Sequence, residues 1–206
     1  LVLGFDAAGE LIRIERADSA LLPVPMDGLR DVTMLVDVEA PVEAYVQDLA
    51  QDQIATSEVP LDGLRNSVRT RETNLGDLLA DALLEAARDQ AADFGVPEAD
   101  VALQNGGGMR NDSVIPAGPL TRLTTFDGAP FSNFVGVMEL DGEDLVAVLE
   151  HSIAVLPESG GQHGQWAGVE FTYDVTEPAG SRLGDATVTK ADSTEVPLVV
   201  DGEVVG

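Results

Sequence analysis

Apolar and polar positions alternate along Glu10–Glu15 after a short apolar run at Leu1–Phe5, and Asp6–Gly9 lies between them as a turn, so the chain is predicted to open on a β-hairpin. So small a hairpin cannot bury its own face and fits best at the edge of a larger domain. Pro23, Pro25 and Gly28 then mark an irregular stretch. Val42, Tyr45, Val46, Leu49, Ala50 and Ile54 recur at helical spacing, which predicts a helix over Pro41–Ile54. Val59–Arg69 reads as strand pieces broken by Pro60 and the Asp62-Gly63 turn signal.

The clearest helix starts at Thr73-Asn74, with Asn74 as the expected N-cap and Asp77 near the positive end of the dipole. Leu75, Leu78, Leu79, Ala82, Leu83, Ala86 and Ala87 supply its buried face, and Gly95-Val96-Pro97 ends it. Beyond it the pattern predicts a strand over Asp100–Gln104, a strand over Asn133–Leu140, a helix over Asp141–Val155 and one strand over Trp166–Tyr173. From Ala186 onward the alternation is weak, with no terminal element. Strands and helices do not alternate strictly, so the expected class is α+β, a mixed sheet packed with helices.

Charge narrows the range of partners. Thirty-seven acidic residues face eleven basic ones, a formal charge of −26, and Lys190 is the single lysine. Such a field repels nucleic acid polymers, but a few converging arginines can still hold a small anion, because distant charges are screened beyond about 10 Å. Solubility or salt adaptation is the plainest source of the acidity. With no cysteine, disulfides, thiolate metal sites and thiol nucleophiles are excluded. No apolar run reaches the ~18 residues of a transmembrane helix. The start at Leu1, within a hairpin pattern and without Met, reads as a piece of a longer protein.

Candidate chemistry concentrates in one loop. Gly106-Gly107-Gly108 follow a buried strand and precede Arg110; glycines that reach φ > 0 bring backbone N–H groups to a ligand, and a guanidinium adds a planar fork of donors. The same triplet also suits an ordinary tight turn. Arg69 and Arg71 precede the long helix, where one can reach a shared site while the other faces solvent. Phe131 sits in the loop before a predicted strand, where aromatics more often belong to the core. His151 reads as structural, His163 has no assigned role, and Gly160-Gly161 with Gly164 reads as a mobile loop. Neither histidine has metal-ligand spacing around it, and no Gly-x-Ser-x-Gly elbow occurs.

Four segments in order carry a resemblance: Arg69-Thr70-Arg71-Glu72-Thr73-Asn74 running on to Asp81, then Gln104-Asn105-Gly106-Gly107-Gly108-Met109-Arg110, Pro130-Phe131-Ser132-Asn133, and Leu149-Glu150-His151-Ser152. The series closely resembles the C-terminal domain of the 5′-nucleotidase family, which includes UDP-sugar hydrolases and 2′,3′-cyclic-nucleotide phosphodiesterases. The resemblance implies that residues 1–38 are the tail of an upstream metallophosphoesterase domain, 39–57 a linker helix, and 58–206 a C-terminally incomplete substrate-binding domain. It implies substrate contacts from Arg69 and Arg110, a glycine loop of Asn105, Gly107 and Gly108 at the nucleoside, Phe131 as one of two aromatics sandwiching the base, and Asn133 as a polar contact beside it.

Catalytic and metal-binding residues are expected in the upstream domain, which would carry two divalent metal ions; none is expected here, and the chain alone should not hydrolyse substrate. The expected partners are a nucleotide or nucleoside and the chain's own N-terminal domain, and the expected location is extracellular, periplasmic or at the cell wall. Ser132 stands where the family usually has Gly, Asp77 where it often has Asn; the second aromatic and its Gly-Gly-Asp-Gly segment should follow Gly206. Two other readings remain open: a non-catalytic interaction module of the same fold, and a relative acting on other substrates, as in the thiosulfate-oxidation hydrolases.

Overall fold

The computed structural model describes residues 2–14 and 31–205, so the loop reading at Pro23, Pro25 and Gly28 lies outside the described residues. The chain divides into two compact units, Leu1–Tyr45 and Val46–Gly206.

In the first unit, β1 (Leu3–Phe5) and β2 (Leu11–Ile14) form the expected antiparallel hairpin. Asp6 closes its turn by accepting from the Ala8 and Glu10 amides, and Gly9 supplies the positive φ of 85°. α1 (Val32–Met34), capped by Asp31, runs through a π-helical turn (Leu35–Glu39) into α2 (Ala40–Gln51). The division between the units falls inside α2. This helix ends three residues before the Ile54 expected from the pattern. Gln53 and Ile54 instead begin β3 (Gln53–Ser57), whose N–H and C=O groups find a ladder partner downstream.

The second unit is α+β. Every strand pairing among the described residues is antiparallel, in several small sheets rather than one mixed sheet. β4 (Leu61–Asp62) precedes α3 (Asn74–Phe94), and β5 (Ala102–Asn105) follows it. Next come β6 (Val114–Ile115), β7 (Gly118–Thr121), α4 (Arg122–Gly128) and α5 (Gly142–Ile153). The chain continues through β8 (Gly164–Ala167), β9 (Val169–Tyr173), β10 (Leu183–Thr189), β11 (Glu195–Val200) and β12 (Glu203–Val204). β3 pairs with β7, β4 with β6 and β5 with β8, while β12, β11, β10 and β9 form a four-stranded meander.

Several expectations shift for identifiable reasons. Thr73, not Asn74, caps α3: its hydroxyl accepts from the Gly76 amide. Asn74 reaches backward instead, accepting from the Asp62 amide and donating to the Pro60 carbonyl. Gly95 ends the helix in the left-handed conformation, as expected. The single strand read over Trp166–Tyr173 is two strands in different sheets, broken at Gly168, where φ is 78° and a Cβ would collide with the Asp100 carbonyl. The weakly alternating end of the chain forms three strands, the last two joined at Asp201-Gly202 with positive φ at both positions. Asn133–Leu140 is not a strand. An apolar alternation becomes a strand only when another edge takes its N–H and C=O groups, and no described strand pairs with this segment.

Three apolar clusters hold the unit together. Leu149 of α5 packs on Ala186, Val188, Leu198 and Val199 of the meander. Ala80 and Leu84 of α3 pack on Ala167. Leu61, Val68, Leu75 and Met109 form the third, and this one lies directly beneath the candidate site.

Candidate functional site

The two arginines of interest each follow a buried apolar residue, and that register positions them. Val68 is wholly buried in a 3₁₀ turn (Ser67–Arg69), and Met109 is buried at the end of the glycine loop; both belong to the cluster of Leu61 and Leu75. Burying such side chains is worth about 2 kcal/mol each, so Arg69 and Arg110 are attached to fixed points.

Arg69 and Arg71 then part company. Arg71 donates to Asp62 at 3.0 Å and to the Ser67 hydroxyl at 2.9 Å. Burial works to raise the Asp62 pKa, but hydrogen bonds from Arg71, the Leu64 amide and Ser67 outweigh it and leave the carboxyl below its ordinary value. Arg69 is only 9% exposed, and its Nε has no hydrogen-bond partner. Burial lowers its pKa, as do the nearby Arg65 and Arg110 charges, with Asp112 opposing. A guanidinium stays protonated regardless, so Arg69 is a buried cation whose Nε–H is unused.

The glycine loop is a 3₁₀ turn (Gly106–Gly108) continuing from β5. None of its glycines takes a positive φ, so conformational freedom is not why they are there; close approach is. A Cβ on Gly106 would run into the Val68 carbonyl, and one on Gly107 would sit 3.0 Å from the Gly161 carbonyl. A Cβ on Gly108 would meet the Gln104 carboxamide. Two loop amides are already used within the protein: Gly106 donates to the His163 carbonyl at 2.7 Å and Gly107 to the Gly161 carbonyl at 2.9 Å. The Asn105 amide group also donates to Gly161, at 3.1 Å. The loop therefore does not offer those N–H groups to a ligand.

The same bonds revise the reading of Gly160–Gly164 as a mobile loop. Besides receiving Gly106, Gly107 and Asn105, this segment donates from Gly160 to the Arg69 carbonyl and from Gly164 to the Ser152 hydroxyl. His163 is 3% exposed, and neither ring nitrogen has a hydrogen-bond partner.

Arg110 links the loop to the aromatic. Its amide donates to the Gly128 carbonyl at the end of α4, and its guanidinium donates weakly to the Gly107 carbonyl at 3.4 Å. The guanidinium carbon lies 5.4 Å from the Phe131 ring centroid, a cation–π contact worth about 0.5–1 kcal/mol at an exposed site. Phe131 is half exposed, so it is not the core residue that its type alone would suggest. Arg69, Asn105, Gly107, Gly108, Arg110 and Phe131 thus belong to one connected neighbourhood. Asn133 is exposed in the irregular segment, and no hydrogen bond joins it to the others.

Sequence reasoning missed two residues here. Arg65 acts electrostatically on Arg69 and makes the site a cluster of three arginines in a chain of strong negative charge; its place four residues before Arg69 was the available signal. Gln165, 1% exposed, gave no local signal, since nothing in a short strand marks one glutamine as a long-range anchor.

Two surface hollows lie elsewhere. One, of about 520 Å³, runs along α5 at Glu143, Glu150 and His151; the other, of about 410 Å³, lies beside α3 at Glu72, Asp77, Asp81 and Trp166. No group of three or more described His, Asp or Glu side chains is placed to hold a metal ion, and no described helix is long and apolar enough to cross a membrane.

Comparison with known proteins identifies the family. Residues 53–202 match the family described as 5′-nucleotidase, C-terminal domain. The chain is 27% identical over 97% of its length to the trifunctional nucleotide phosphoesterase protein YfkN of Bacillus subtilis, of which it covers 13%. It is 32% identical over 68% of its length to a 5′-nucleotidase of Vibrio parahaemolyticus, covering 23% of that protein. Among solved structures, the 5′-nucleotidase precursor of Thermus thermophilus superposes with a TM-score of 0.66 at 34% identity, over 97% of this chain and 37% of that one. The chain therefore spans well under half the length of these relatives, and it belongs to the family of 5′-nucleotidase C-terminal domains.

Proposed function

We propose that this chain is the nucleoside-recognising domain of a secreted or cell-envelope 5′-nucleotidase-type phosphoester hydrolase. The observation that carries the reading is Arg110, whose guanidinium lies over the half-exposed Phe131 ring while its charge acts on the buried Arg69, whose Nε has no hydrogen-bond partner. An aromatic face and two convergent cations suit a ligand with a flat base at one end and sugar or phosphate oxygens at the other. The names of the relatives, nucleotide phosphoesterase and 5′-nucleotidase, support the same substrate class.

On this reading Arg69 and Arg110 bind ribose or phosphate oxygens, Phe131 stacks on the base, and Asn105, Gly107 and Gly108 form the wall beside the nucleoside. Asn133 joins only if its segment moves toward Phe131 on binding. Hydrolysis belongs to an N-terminal metallophosphoesterase domain with two divalent ions, for which residues 1–38 form the tail and 39–57 the link. On this reading the described residues bind substrate and do not hold those ions. Their task is to position substrate, which converts remote binding energy into orientation at phosphorus.

Titration of AMP and adenosine into ¹⁵N-labelled chain tests the proposal. Shifts confined to Arg69, Gly106–Arg110 and Phe131 are expected. Unperturbed spectra at millimolar ligand, repeated in the parent protein, would move the assignment to a non-catalytic interaction module. The exposed apolar side chains of Phe134, Val137 and Met138 favour that second reading.

A further inference from the structure

Gln165 is buried in β8, opposite Gln104 of β5, far in sequence from the turn that carries Arg69. Its carboxamide is engaged on both sides of that turn. Nε2 donates to the Val68 carbonyl at 3.1 Å and to the Arg71 carbonyl at 2.8 Å, while Oε1 accepts from the Thr73 amide at 2.9 Å. Both of its N–H donors are thereby committed to the backbone. The fit leaves no spare room: a Cβ on Gly76, in the first turn of α3, would collide with the same carboxamide.

The consequence falls on Arg69. A guanidinium buried to this degree ordinarily turns its N–H groups onto the nearest carbonyl oxygens, because an unpaired buried donor is costly. Here the carbonyls of Val68, immediately before it, and Arg71, two residues after it, point at Gln165, and the carbonyl of Arg69 itself accepts from Gly160. Arg69 Nε is left without a partner. We propose that Gln165 is the positioning residue of the candidate site: by engaging the backbone acceptors on either side of Arg69, it leaves the Arg69 Nε–H unquenched, so that the guanidinium is ready for an oxygen-rich ligand. The last step rests on the nucleotide reading of this site, whereas the control of Arg69 by Gln165 does not.

The test separates the two. In the full chain, Gln165→Met removes the donors and the acceptor while keeping side-chain length, and Gln165→Glu keeps the acceptor for Thr73 but loses the donors. Either variant, if folded, should shift the Arg69 Nε–H NMR signal and change its hydrogen exchange by about tenfold or more, as the freed carbonyls become available to it. AMP affinity should fall by about tenfold, and by a similar factor for both variants. Val188→Ala, a cavity in the distant meander chosen to lower stability comparably, should leave the Arg69 signal and AMP affinity unchanged. An Arg69 Nε–H signal that does not respond to either variant overturns the proposal whatever the ligand does. A response in the variants with no AMP-induced shift in the wild type upholds the role of Gln165 and removes the nucleotide reading.

Discussion

The candidate site has two sides built in opposite ways. The arginine and glycine side is fixed from within: Val68 and Met109 are core residues, Gly106 and Gly107 donate to a neighbouring backbone segment, and Gln165 clamps the turn below Arg69. The aromatic side is held by little. Phe131 has its contact with Arg110, and beyond it Phe134 is fully exposed and the backbone through Leu140 is irregular. One side can thus supply preorganised charge and the other an adaptable stacking surface. A ligand would gain orientation from the first and would have to order the second, which lowers affinity by the ordering cost.

The largest effect that can test this contrast is at Gly106. Its Cα faces the Val68 carbonyl so closely that alanine cannot fit without shifting backbone in one turn or the other. Gly106→Ala should destabilise the unit by about 2–3 kcal/mol, read by denaturant unfolding. It should also abolish the AMP-induced shifts. A loss below about 0.5 kcal/mol, the size of an ordinary surface change, would mean that the loop yields easily and that the two sides are not built differently.

Phe131→Ala probes the other side and should behave in the reverse manner. Half of the ring is in water and its contact with Arg110 is weak, so stability should stay within about 0.5 kcal/mol of wild type. Ligand binding should lose about 1–3 kcal/mol, the worth of one base–aromatic stack. Calorimetric titration with AMP beside thermal melts of the same variant measures both. A variant that loses stability but not affinity would place Phe131 in the core after all.

These differences also explain what could be read from sequence. The helices from Asn74 and Gly142 were legible because periodicity, caps and the terminal Gly95 are local signals. Arg69, Asn105, Arg110 and Phe131 were legible as a set only through the order of their motifs, since each alone has an ordinary structural explanation. Asn133–Leu140 was misread because alternation specifies a strand face but cannot supply the neighbouring edge. Asn74 was misread as the cap because Thr73 beside it is an equally good capping type, and the choice was made by Asp62 and Pro60, which lie before the helix. Gln165 and the pinning of Gly160–Gly164 depend on contacts across roughly half the unit, which no local pattern encodes.

Two titrating groups should pull stability in opposite directions with pH. Asp77, in the first turn of α3, has its pKa raised from 3.8 to about 6, first by burial and then by Glu72 and Asp81. Between those values the folded state binds more protons than the unfolded one, so this residue makes stability fall as pH rises from 3.8 to about 6, and at neutral pH its charge is a burden. Asp77→Asn should therefore stabilise the chain at pH 7 by about 1 kcal/mol, a value reduced for the carboxylate's partial contact with water and for its loss at a helix N-terminus. The advantage should shrink toward zero as pH falls to 4. His163 runs the other way. Burial holds its pKa below 6.5, against the backbone of Arg71 and Ser152, so the neutral ring's contribution is complete above 6.5 and is lost as pH falls through the folded value. Because the His163 and Gly161 carbonyls receive the Gly106 and Gly107 amides, acidification should loosen the glycine loop first, before Phe131 or the meander responds. Amide exchange at Gly106 and Gly107, followed from pH 7 downward in wild type and His163→Phe, reads this directly. Faster exchange on acidification in the wild type, absent from the variant, is the expected result; equal behaviour in both would leave the loop anchored by its backbone bonds alone.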